Sequence, residues 1–62
     1  MKRKEFIKYL KKSGCELLRE GKKHSVFYNI GNNKTSTVPR HTEIDNKLAR
    51  KICKDLQIPY LI

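Results

Sequence analysis

The sequence has no tryptophan, only two cysteines, two prolines and three glycines, and six acidic residues among 62. Cys15 and Cys53 stand far apart, with no Cys-x-x-Cys pair, so neither a disulfide framework nor a thiol redox motif is indicated. Both are expected to be buried free thiols. No apolar run approaches the about 20 residues that cross a bilayer, and no charged start leads into an apolar signal segment. The expectation is a cytoplasmic protein. A chain of this length buries only about 60% of the surface its unfolded form exposes, so one domain over residues 1–62, of modest stability, is expected.

What is abundant is positive charge. Fifteen Lys and Arg against six Asp and Glu give a formal charge of +9, with a pI near 9.9. Self-repulsion on this scale opposes the compact state, and it persists where the charge meets a polyanion. A membrane surface fits poorly, because no helix sets a lysine face against a broad Trp, Phe and Leu face. Nucleic acid fits best. DNA regulation of the helix-turn-helix kind lacks its spacing here.

Phe6, Ile7 and Leu10 recur at helical spacing with Tyr9 beside them, which predicts a helix from Lys2 to Lys12. Ser13-Gly14 stops it, since glycine accepts the left-handed conformation at a helix C-terminus. The period then changes. Cys15 to Glu20 reads as a strand, Gly21-Lys22-Lys23 as a turn, and His24 to Ile30, with its β-branched and aromatic residues, as a second strand. Gly31-Asn32-Asn33 tolerates positive φ and returns the chain into a third strand, Lys34 to Val38, which Pro39 closes. After a polar connection to Ile44, Asp45 caps a second helix, Asn46 to Leu56. Leu48, Ala49, Ile52, Cys53 and Leu56 share one face of it; Lys47, Arg50, Lys51 and Lys54 share the other. Pro59 ends the regular structure and leaves Tyr60-Leu61-Ile62 as an apolar tail for the core or a partner.

The fold class is therefore α+β, ordered α-β-β-β-α, with a three-stranded antiparallel sheet and both helices on one face. This order is that of the double-stranded RNA-binding fold. It leaves one sheet face bare for a substrate. Tyr28 shares strand parity with His24 and is a candidate to stack on a base, while Phe27 points the other way; Val26 and Ile30 share the Tyr28 parity, so parity alone leaves the core side open.

Glu5, Glu16, Glu20, Glu43, Asp45 and Asp55 make no clustered carboxylate motif for a divalent cation. Cys15, His24, His41 and Cys53 lack zinc-site spacing, so no metal and no cofactor is expected. RNA offers a route without either, in which its own 2′-hydroxyl attacks the adjacent phosphate once a base removes the proton. Histidine titrates near neutrality, and adjacent positive charge favours its neutral form. His24 has this setting: it follows Lys22 and Lys23, cations that can attract a phosphate and stabilise its transition-state charge.

The Phe6-Ile7-x-Tyr9-Leu10 helix, the Ser13-Gly14 stop, Gly21-x-x-His24, Val38-Pro39-Arg40-His41 and the closing helix Leu48 to Leu56 together resemble the HicA toxin family over nearly the full chain. The resemblance implies a double stranded RNA-binding-like fold and the toxin half of a type II toxin-antitoxin pair. It further implies an endoribonuclease that cuts mRNA and stops growth, and a HicB-like antitoxin, expected to bring acidic surface over His24. It makes His24 the catalytic residue. Lys22 stands where the family's turn carries serine, exchanging a hydroxyl for charge. Arg40 is expected to contact phosphate, and His41 is a secondary candidate to protonate the leaving 5′-oxygen. Lys47 and Lys51 complete the expected RNA contacts, on a face that also suits plain solvation. The competing reading is a non-catalytic RNA-binding module of the same fold.

Overall fold

The computed structural model describes residues 1–60, and the expectation for the tail at Leu61 and Ile62 lies outside the described residues. Phe6 and Leu10, one helical turn apart, are both fully buried and fix helix α1, Arg3–Lys12. Gly14, at φ 91°, lets the chain reverse directly into strand β1, Cys15–Glu20. Strands β2, His24–Asn29, and β3, Thr35–Pro39, follow, and helix α2, Asn46–Leu56, closes the sequence of elements.

The sheet is antiparallel in the order β1-β2-β3. Helix α1 lies against β1 and helix α2 against β3. Both feed one core of Phe6, Leu10, Cys15, Phe27, Val38, Ile44, Ala49, Ile52, Cys53 and Leu56. The α-β-β-β-α order and the two helices on one sheet face are as the sequence predicts. Phe27, 3% exposed, settles the parity: odd-numbered residues of β2 face the helices, and His24, Val26 and Tyr28 face away.

Two strand ends differ from expectation. Strand β2 ends at Asn29, because its Oδ1 accepts the Gly31 N–H at 2.9 Å and starts the turn one residue early, leaving Ile30 exposed. The positive φ of that turn falls on Asn33, at 61°. Pro39 ends β3 from inside it, paired with His24; on an edge strand its missing N–H costs no ladder bond.

Asp45 stands at the N-cap of α2, where its carbonyl accepts the Ala49 N–H at 2.8 Å, while its carboxylate makes no capping bond. At the other end Gln57 is left-handed at φ 57°, with Gln57 N–H to Lys54 O and Ile58 N–H to Cys53 O, the paired bonds of a Schellman stop. Ile58 and Tyr60 then pack back on the core, and the Arg50 guanidinium lies 5.2 Å from the Tyr60 ring centroid. Both cysteines are free and buried, as expected. None of the described helices is long and apolar enough to cross a membrane.

Candidate functional site

One end of the sheet gathers most of the chemistry. There β1 ends at Glu20, β2 begins at His24 and β3 ends at Pro39, so the register sets Glu20 opposite Ser25 and His24 opposite Pro39. The connecting turn is closed by the Gly21 N–H, which donates to His24 O at 2.7 Å. A Cβ on Gly21 would come 3.1 Å from that same oxygen, a tight contact that the glycine avoids. The turn presents exposed Lys22, Lys23 and His24 together, with His24 on the sheet face that no helix covers.

A chain of hydrogen bonds fixes this end from the helix side. Arg3 Nε donates to Pro39 O at 2.8 Å and Arg3 Nη2 to Ser25 Oγ at 2.9 Å. Ser25, 1% exposed, donates its own hydroxyl hydrogen bond to Glu20 Oε1 at 2.7 Å. Arg40 Nη2 reaches the same carboxylate at 2.8 Å. Its guanidinium also donates to Lys22 O at 2.9 Å and to Gly21 O. Arg40 thus ties the segment after β3 to the turn that carries His24. The Arg40 guanidinium, then the Ser25 hydroxyl, holds the Glu20 carboxyl below the usual carboxylate range. Because the pair is exposed, its effect is more to order the turn than to stabilise the fold.

Lys22, Lys23, His24 and Arg40 are therefore brought together. The Arg40 guanidinium is engaged by one carboxylate and two carbonyls rather than left open to a phosphate. Tyr28 lies on the same bare face, four residues or about 13 Å along β2 from His24. Lys47 and Lys51 do not join them: they project from the outward side of α2, across the core from the bare face, and Lys51 Nζ pairs with Asp55 at 3.2 Å. His41 lies past the end of β3, beside the start of α1.

Sequence reasoning missed Arg3, Ser25 and Glu20 as parts of this end. The signal for one pair was present, since Glu20 and Ser25 flank the predicted turn symmetrically and become cross-strand neighbours once it closes. Among the described residues no three His, Cys, Asp or Glu side chains gather in one place. What the arrangement can do is hold an anion beside an exposed imidazole on a surface open to a long polymer.

No curated protein and no solved structure matches the chain. The family model described as the HicA toxin of bacterial toxin-antitoxin matches residues 3–58. With nearly the whole sequence matched and the expected α-β-β-β-α order in place, the chain belongs to the HicA toxin family.

Proposed function

We propose that this toxin is a metal-independent endoribonuclease that cuts mRNA, with His24 moving the proton. The observation that carries the reading is the position of His24: exposed, on the one sheet face without a helix, at the end of a turn whose other exposed side chains are Lys22 and Lys23.

In this reading the RNA lies across the bare face. The His24 imidazole takes the proton of a 2′-hydroxyl, the freed oxygen bonds to the adjacent phosphorus, and the bond from phosphorus to the 5′-oxygen breaks. The leaving oxygen takes a proton from the imidazolium, from His41 or from water. The products are a 2′,3′-cyclic phosphate and a 5′-hydroxyl. Lys22 and Lys23 stabilise the charge that builds on the phosphate oxygens, and Tyr28 stacks on a neighbouring base. Arg40 acts mainly by holding the turn. Lys47 and Lys51, in the opposite layer, take no part at the cleaved linkage. An antitoxin with acidic surface over His24 would both block the site and relieve the +9 self-repulsion.

A second reading, a non-catalytic RNA-binding module, draws on one observation: among the described residues no hydrogen bond orients the His24 imidazole. Incubating the purified toxin with a long single-stranded RNA in EDTA, then identifying the new ends, separates the two. New 5′-hydroxyl ends support the endoribonuclease; intact RNA that remains bound supports the module.

A further inference from the structure

The start of α1 and the segment after β3 enclose an open depression of about 280 Å³, lined by Lys2, Arg3, Lys4, Arg40, His41 and Thr42. Five of these six side chains are basic and none is acidic. Two backbone contacts fix its walls, the Arg3 N–H to Thr42 O at 2.9 Å and the bridge between Lys2 and Glu43. Apart from His41, one of the proton sources named above, and Arg40, which holds the turn, the chemistry assigned to His24 does not use this cluster.

The cations fall into two kinds. Arg3 and Arg40 are held by their bonds to Pro39, Ser25, Glu20 and the turn, and the Arg40 charge is paired with Glu20, so these two shape the wall of the depression and leave the binding charge to the lysines. Lys2 and Lys4 are exposed, and among the described residues neither has an ion-pair partner. The neighbouring Glu43 carboxylate is turned to the Met1 amino group at 3.6 Å. Like charges held this close are relieved by an anion. The depression is open to solvent and has room for a backbone phosphate. No Phe, Tyr or Trp side chain lines it.

Its position names the source of the phosphate. Arg3 Nε binds Pro39 O, and Pro39 is the cross-strand partner of His24. Strand β3 is one of the sheet's two edges, and a polynucleotide that leaves the bare face over the end of β3 at Pro39 meets the depression. We propose that the depression is a second phosphate subsite, holding an RNA backbone phosphate that flanks the one cleaved beside His24, a role that rests on the ribonuclease reading. The lysine contacts are to backbone phosphate, which adds affinity without sequence preference.

The test uses the full chain carrying His24→Ala, which leaves RNA intact, and a fluorescent single-stranded RNA of mixed sequence titrated across a salt series. Adding Lys2→Gln and Lys4→Gln is expected to weaken binding and to flatten the slope of log affinity against log salt by about 0.7 to 1.4, one to two phosphate contacts on a single strand. Lys11→Gln with Lys12→Gln, an equal charge loss at the far end of α1, is the control and is expected to leave the slope unchanged. An unchanged slope in the Lys2 and Lys4 variant, or an equal loss in the control, overturns the subsite while leaving the ribonuclease reading standing. If the His24→Ala parent binds no RNA at all, both fall.

Discussion

The Arg40 guanidinium donates to the Glu20 carboxylate at 2.8 Å and so joins the exit of β3 to the turn that presents His24. The same guanidinium bonds the turn's own carbonyls, at Lys22 and Gly21, so the position of His24 depends on a residue sixteen positions away in sequence.

Acid should loosen this end. The Glu20 carboxyl is held below its ordinary value in the folded chain, so its contribution is present above the unfolded-state value, about 4.3, and is lost as pH falls through the lower folded-state value. Glu20→Gln is expected to remove that part of the acid response, measured as the change in amide exchange of the Gly21 to His24 turn between pH 6 and pH 3. An acid profile identical to wild type would contradict the assignment.

Gly21→Ala should damage activity more than folding. The added Cβ meets the His24 carbonyl at 3.1 Å, so the hairpin end must shift and the imidazole with it. Cleavage is expected to fall, though by less than the about 10²-fold cost of displacing a catalytic group by about 1 Å, because the contact is relieved by a smaller shift. Urea midpoints measured beside the cleavage rate check the split.

Phe6→Ala should come close to unfolding the chain. Phe6 is fully buried at the centre of the single core, and such truncations cost about 3–5 kcal/mol. At about 0.05–0.15 kcal/mol per residue the whole fold has about 3–9 kcal/mol to lose. Urea unfolding followed by circular dichroism gives the loss directly.

Neither thiol should react readily in the native protein. Burial pushes the Cys15 and Cys53 thiols up from their ordinary value, which keeps them protonated at neutral pH as well as covered. A disulfide reagent that reports thiolate is expected to label both only at the rate of unfolding, and rapidly in denaturant. Fast labelling of the folded chain would contradict it.

The fold was legible because each element carried its own local signal. Phe6 and Leu10 mark α1, Gly14 stops it, the residues around Gly21 and Asn33 turn the strands, and Ala49, Ile52, Cys53 and Leu56 mark α2. His24 stood out for its neighbours Lys22 and Lys23, which are adjacent in sequence. Arg40 as a clamp on Glu20 was not legible, since a guanidinium finds its acceptors only after two strands and a turn have placed them. The same holds for the cluster of Lys2, Lys4 and His41, whose members come from opposite ends of the β-sheet's sequence and meet only in the folded chain.

The most direct measurement compares wild type with His24→Ala on a long single-stranded RNA in EDTA, scoring cleavage and binding in parallel. Wild type is expected to cut, and the variant to bind as tightly while cutting about 10²- to 10⁴-fold more slowly, the range for loss of a general acid or base. Equal cutting by both proteins, or cutting by neither with equal binding, would contradict the assignment of the chemistry to His24.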